Sequence, residues 1–360
     1  MEAGKSYPVA ASDYRVLEEI GHGRNATVHR ALCVPRGEIV SIKSIDLEKC
    51  RSDLDEVRRE AQTLSLIDHP NVVAALALFI VGQRLWVVMP YMAAGSCLTI
   101  MRVARPYGLD EPLVATVLRE CLKALDYLHF HGHIHRDVKA GNILVDQHGG
   151  VKLGDFGVSA CLFDCYNRQI ARRTTFAGTP CWMAPEVLDP VCGYDCSADI
   201  WSLGITALEL AQGHAPLSDL PPMKMVLVEL SGPPPTLEPE RAKAFSKSFK
   251  DFVACCLQKE ASKRPTAGKL LKHGFFKHAQ SSEYLVAHLL RELPPLWEQV
   301  KELRNRDVAE LGKKISLPEG EQQQQQQEVV SEWNFCVADS SSSSSTSGKG
   351  EAKPEEEEKK

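Results

Sequence analysis

Between Leu128 and Leu144 the chain reads LHFHGHIHRDVKAGNIL, and two chemistries compete for it. Four histidines, His129, His131, His133 and His135, fall on alternate positions, and imidazole is a common metal ligand. Alternate residues share a face only on a strand. Here a helical stripe through Leu125 and Leu128 runs into His129, and Gly132 ends it. The rings therefore straddle a helix end and a turn, and no cysteine or acidic cluster accompanies them at a zinc spacing. The second chemistry starts at the last histidine. Asp137 is followed by Lys139 two residues on and Asn142 five residues on. A carboxylate can orient a hydroxyl, which is a poor nucleophile unaided. An amide oxygen is a ligand for a hard cation, and an ammonium can hold a phosphate in transfer. That combination suits phosphoryl transfer to an alcohol.

The other parts of such a reaction follow in order. Gly21, His22, Gly23, Arg24, Asn25, Ala26, Thr27 and Val28 form a Gly-rich turn between two strand-like runs, where backbone N–H groups can approach phosphate oxygens. Alone, this is an ordinary hairpin turn. Lys43, in VSIK on the next strand, is placed to grip phosphates; alone, it is a lysine on an alternating strand. Glu60 lies three residues after Val57 and four before Leu64, on the apolar stripe of its helix. An inward carboxylate wants a cation, and Lys43 is the expected partner. Asp155, opening DFG, supplies a second carboxylate for the metal. That Glu186, ending APE, pairs with Arg264, and that Asp199, at a helix start, bonds the backbone of the loop around Asp137, is what the family resemblance set out below implies.

The elements that must position these groups can be read in outline. YRVLEEIG, TVHRALC, EIVSIKSI, VVAALALFIV and RLWVVMPY are strand-like, and SDLDEVRREAQTLSLI carries a helical stripe at Leu54, Val57, Ala61 and Leu64. After about Gly95 the pattern is helical, with Pro112 at a helix start and Gly132 past its end. Further helices are expected at ADIWSLGITALELAQG and SFKDFVACCLQ. Apolar periodicity continues from Ser282 to Leu311, broken at Pro294-Pro295. Beyond it, a six-Gln run, poly-Ser and EAKPEEEEKK cannot bury enough apolar area to offset ordering entropy. Within that tail, Trp333 and Phe335 in SEWNFCV are either a docking motif or a chance aromatic pair.

With 360 residues, 44% of them hydrophobic, the chain can bury a sizeable core, and a net charge of −5 argues against a general nucleic-acid binder. The N-terminus lacks an apolar secretory core, and the longest apolar run, Val72 to Val81, is too short to span a bilayer. The 12 cysteines show no CxxC pair. A reducing cytoplasmic location is expected, with nuclear access open.

HRDVKAGN, with DFG, APE and the Gly-rich turn in this order, resembles the eukaryotic protein kinases. HIHRDVKAGNIL, GDFGVSA and GTPCWMAPEV are similar to the Sterile-20 group, in its germinal-centre-type branch with the oxidative-stress-responsive kinase. ACLFD and LPPLWE resemble plant members of that branch. The resemblance implies an α+β, two-lobed protein kinase fold. A β-rich N-lobe with one helix (14–93) would meet a larger, mainly helical C-lobe (94–276). An N-terminal extension (1–13), a helical C-terminal extension (277–312) and a low-complexity tail (313–360) would flank it. It implies ATP and Mg²⁺ as cofactors: Ile20, Val28, Ser41 and Leu144 around the adenine, Met89 behind it, and the backbone of Pro90 and Met92 on the purine edge. Lys43 and Glu60 would orient the phosphates, Asn142 and Asp155 would hold the metal, and Asp137 and Lys139 would serve the transfer. Lys139 and Thr179 resemble serine/threonine kinases. Two departures stand out. Ala26 replaces the third glycine, and Ser41 replaces the usual alanine before the lysine. Thr175, then Thr174, are the expected activating phosphosites for an upstream kinase, with Arg136 to receive the phosphate. Protein substrates with serine or threonine acceptors follow. A catalytically weak scaffold of the same fold would lack Lys43, Asp137, Asn142 or Asp155, and all four are present.

Overall fold

Alternation of apolar and polar residues from Tyr14 to Pro90 builds a sheet with two covered faces. In this computed structural model, which describes residues 6–23, 26–48, 66–154, 180–188 and 193–315, the strands are β1 (Tyr14–His22), β2 (Ala26–Cys33), β3 (Glu38–Asp46), β4 (Ala77–Val81) and β5 (Arg84–Pro90). They form an antiparallel sheet in the order β1-β2-β3-β5-β4. On one face Tyr14, Ala31, Cys33, Val40, Ile42, Ala77 and Val88 make a small core. Side chains two apart on a strand share a face, as do direct cross-strand partners. The pairings Val28 with Lys43, Ser41 with Met89 and Lys43 with Val87 therefore bring Val28, Ser41, Lys43 and Met89 to the other face. The helix expected around Glu60 lies outside the described residues.

The apolar run from Val72 is not one strand. Only Ala77–Val81 joins the sheet. Asn71 to Val73 pair elsewhere, with β8 of a second sheet made of β6 (Gly95–Ser96), β7 (Ile143–Val145) and β8 (Val151–Leu153). Leu153 N–H donates to Asn71 O at 2.8 Å, Val73 N–H to Leu153 O at 2.9 Å, and Asn71 Nδ2 to Val151 O at 3.0 Å. Two sheets share one β-branched run, which periodicity alone does not divide.

The larger lobe is built on α1 (Cys97–Ala104), α2 (Glu111–Phe130), α3 (Ser197–Gln212), α4 (Pro222–Ser231) and α5 (Lys247–Cys256). Pro112 sits in the first turn of α2, and Gly132, with φ of 76°, follows its C-cap; glycine takes this left-handed conformation without the Cβ clash. Leu118, Leu122 and Leu125 of α2 and Phe249 and Phe252 of α5 are fully buried with Trp201 of α3. Helices α3 and α5 approach so closely that a Cβ at Gly204 would lie 2.7 Å from Leu257 Cδ2. Past the prolines, α6 (Leu296–Ile315) completes the described chain. The whole divides into two units, Met1–Asn305 and Arg306–Lys360; of the second, the described part is the last stretch of α6. No helix among the described residues is long and apolar enough to cross a membrane.

Candidate active site

Asp137 sits on the loop between α2 and β7, its side chain 22% exposed. Lys139 Nζ donates to its Oδ2 at 2.7 Å, and Asn142 Nδ2 donates to the same oxygen at 2.8 Å and to Asp137 O at 2.7 Å. Two donors on one oxygen fix the rotation of the carboxylate. Both commitments of the Asn142 amide are N–H bonds to Asp137, so the side chain retains its oxygen as the atom suited to a hard cation. That donor chemistry fits the metal expected here.

The loop is held from below by α3, whose residues are buried on all sides. Such a helix is normally apolar all round, yet Asp199, Ser202, Thr206 and Glu209 recur at spacings of three and four residues, a single face. Asp199 Oδ2 accepts His135 N–H at 2.8 Å and bonds His129 Nε2 at 2.8 Å, while its Oδ1 accepts Arg136 N–H at 2.8 Å. Burial opposes the Asp199 charge, but the bonds from His129 and the loop outweigh it and lower its pKa. Arg136 has a left-handed backbone, φ 71°, a strained state for a residue with a Cβ, and Asp199 holds it there. Thr206 Oγ1 donates to Val138 O at 3.1 Å. Glu209 Oε2 accepts Ala140 N–H at 2.8 Å and Trp182 Nε1–H at 3.0 Å, and Ser202 Oγ donates to Trp182 O at 2.7 Å. One helix face thus positions both the Asp137 loop and the segment that ends at Glu186.

The expected Glu186–Arg264 pair is present and bidentate, at 2.5 and 2.8 Å, with the Arg264 side chain fully buried. Arg264 also donates to Gln258 O and Ser197 O and lies over Trp201. The four alternate histidines engage different groups. His129 reaches Asp199, His131 Nδ1 reaches Tyr127 O, and His135 Nε2 donates to Gly154 O at 3.0 Å; His133 is partly buried, which lowers its pKa. His129, in the sequence only one of four alternate rings, is a structural partner of Asp199. Ser202, Thr206 and Glu209 were also not among the expected residues; their signal is the polar stripe on an apolar helix. Elsewhere Asp251, Cys255 and His273 gather within 4.8 Å. His273 Nδ1 accepts Phe275 N–H, which puts its proton on the nitrogen facing Asp251 and makes this a helix cap.

Of the residues expected to face a nucleotide, the structure groups Val28, Ser41, Lys43 and Met89 on one face as above, with Gly21 opposite Val28. Ala26 and Thr27 open β2, Ile20 and His22 lie at the end of β1, and Gly23 follows it. Leu144 lies on β7, paired with Ser96, and the linker from Pro90 through Met92 reaches Gly95, whose N–H donates to Met92 O at 3.0 Å. Glu60, Asp155, Arg24, Asn25, Thr174, Thr175, Trp333 and Phe335 lie outside the described residues.

Burial pushes the carboxyls of Glu209 and Glu229 up to about 7. A raised folded-state pKa means the folded chain keeps protons that the unfolded chain releases. Stability from these groups is therefore fully present below about pH 4.5 and lost as pH rises towards 7, by up to about 3 kcal/mol each. Glu209→Gln is expected to flatten the fall in unfolding free energy between pH 5 and 7, measured by denaturant titration at several pH values; a slope identical to that of the unaltered chain refutes this. Asp199 acts with the opposite sign: its contribution is lost only as pH falls below its ordinary value of 3.8.

A family model described as the protein kinase domain matches residues 14–276. The chain is 51% identical over 308 residues to serine/threonine-protein kinase fray2 of Dictyostelium discoideum, covering 85% of this chain and 30% of that protein. It is 49% identical over 304 residues to germinal center kinase 3 of Caenorhabditis elegans, covering 80% of this chain and 51% of that protein. Dictyostelium fray1 is 43% identical over 298 residues, with 82% and 51% covered. The chain spans about half, or less, of the length of these curated relatives.

Proposed function

The chain belongs to the protein kinase family, and we propose that it transfers the γ-phosphoryl group of ATP, with magnesium, to serine or threonine hydroxyls of proteins. The observation that carries this reading is the Asp137 carboxylate, fixed through Oδ2 by Lys139 and Asn142 on a loop whose backbone ends on α3. The names of the similar proteins, two serine/threonine-protein kinases and a germinal center kinase, support the same acceptor class.

Asp137 orients the acceptor hydroxyl and takes its proton. Lys139 stays beside that carboxylate and offsets charge on the phosphoryl group as it moves. Lys43, on the nucleotide face of β3, orients the α- and β-phosphates, with Glu60 as its partner. Asn142 and Asp155 are the metal-holding pair, and bound magnesium would neutralise charge on the phosphate oxygens. Ile20, Val28, Ser41, Met89 and Leu144 enclose the adenine, and the turn from Gly21 to Ala26 covers the phosphates. Most of the rate then comes from positioning and charge neutralisation.

The test is transfer of labelled phosphate from Mg·ATP to a mixed protein substrate, followed by phosphoamino-acid analysis. Label on serine and threonine is expected; label on tyrosine alone, or none, refutes the reading. Thr175, with Thr174 second, is the proposed switch: an upstream kinase adds a phosphate that docks on Arg136. Full activity in Thr175→Ala removes the switch. Trp333 and Phe335 are the proposed docking point for a partner, and the cytoplasm is the proposed location.

A further inference from the structure

The segment after residue 276 runs back to the small lobe. Gln280 O accepts from Arg119 Nη2 at 2.8 Å and His288 O from Arg105 Nη2 at 3.0 Å, which fixes the path to Pro294. There α6 begins, and Leu296, Gln299 and Leu303 are buried at spacings of three and four residues, a face covered by protein. Leu296 packs on the linker between the lobes. A Cβ on Gly95 would lie 2.5 Å from Leu296 Cδ1, and Gly95 has φ of 80°, so glycine is required there for both contact and conformation. One residue on, the Arg30 guanidinium lies 4.6 Å from the centroid of the Trp297 ring, and Arg30 Nε donates to Glu18 Oε2 at 2.8 Å. Arg304 forms an ion pair with Glu19. Glu19 Oε1 is also 3.3 Å from His22 Nδ1, and His22 stands between Gly21 and Gly23 of the phosphate-facing turn.

Glu18 and Glu19 are thus adjacent residues of β1, the strand that feeds the Gly-rich turn, and both are tied to α6: Glu18 through Arg30 on Trp297, Glu19 directly. We propose that Trp297 and Arg304, outside the matched domain, are positioning residues for Mg·ATP, acting through Arg30 and Glu19 to set Gly21 to Gly23 over the phosphates. This rests on the phosphoryl-transfer reading above. A turn rich in glycine loses much conformational freedom when it closes on a ligand, and a strand held beforehand lowers that cost. The similarity to the relatives covers 304–308 residues, longer than the span 14–276, so it extends beyond the domain match. The Arg304 and Glu19 side chains are 48% and 29% exposed, and exposed ion pairs are individually weak, so each effect is modest and the two together are larger.

The test compares Mg·ATP with adenosine, which has no phosphates, by calorimetry on the full chain. Arg304→Glu is expected to raise the Kd for Mg·ATP about threefold, and Trp297→Ala with Arg304→Glu about fivefold to tenfold. The adenosine Kd should stay within about twofold and kcat at saturating ATP should be little changed. The reversal Glu19→Arg with Arg304→Glu should restore Mg·ATP affinity, which a merely structural role does not predict. Unchanged Mg·ATP affinity in folded Arg304→Glu, or equal weakening of Mg·ATP and adenosine, overturns the proposal. Failure of the unaltered chain to bind Mg·ATP overturns the proposed function, and this inference with it.

Discussion

Asp137→Asn should bind Mg·ATP within about twofold of the unaltered chain yet transfer phosphate about 10³-fold more slowly. Asparagine keeps the shape of the side chain and an acceptor oxygen for Lys139 and Asn142, which lie at 2.7 and 2.8 Å from Oδ2. What it removes is the charge and the basicity that an acceptor hydroxyl meets. The split is the informative part. Loss of turnover with nucleotide affinity retained places the defect in the transfer, while parallel loss of both places it in the fold of the loop. Single-turnover phosphorylation alongside nucleotide titration makes the distinction. Turnover within tenfold of the unaltered chain would remove Asp137 from the role assigned here.

Asp199→Ala is the second large effect, and it acts on both stability and rate. The carboxylate is fully buried and satisfies two backbone N–H groups and the His129 ring. Each buried donor left unpaired costs about 1–3 kcal/mol. The left-handed Arg136, at φ 71°, also loses the bond that holds it in a conformation disfavoured by about 1–2 kcal/mol. The sum is about 4 kcal/mol, near the upper end for single substitutions, and corresponds to a fall in Tm of roughly 10 °C for a domain of this size. Turnover should drop at least about 100-fold at temperatures where the variant is still folded, because a displacement of about 1 Å at the reacting groups is enough. Calorimetry and an assay at low temperature check the two halves separately. A variant as stable as the unaltered chain would show that solvent replaces the lost bonds.

How much was legible in the sequence depended on how local the signal was. The Asp137 loop, with its lysine and asparagine at fixed offsets, was readable because one turn of chain brings those side chains together. Asp199 was readable at the start of its helix, whereas the Glu186–Arg264 pair, 78 residues apart, was readable only from the ordered motifs and not from any local pattern. Ser202, Thr206 and Glu209 belong to no motif, and their only signal is the three-and-four spacing of polar residues on an otherwise apolar helix. Nothing local marks His129, at a helix end, as the partner of an acid 70 residues on, and only the fold brings Asp199 to 2.8 Å. The run from Val72 misled for a different reason: β-branched residues favour strands but carry no instruction about which sheet to join. Least legible were the contacts of α6. Its periodicity was visible past the two prolines, but Glu19 and Arg304 are 285 residues apart, and no local pattern encodes a pair so distant.

The lobes are joined by covalent chain at 90–95 and by the bonds of Asn71 and Val73 to β8. Two fixed points define an axis. Among the described residues, a swing about the line between them is the relative displacement that stretches neither attachment. Gly21 to Gly23, at the tip of the β1–β2 hairpin, form the end of the lever. On the proposal above, the Arg304–Glu19 pair is a further attachment, and such a swing would have to stretch it.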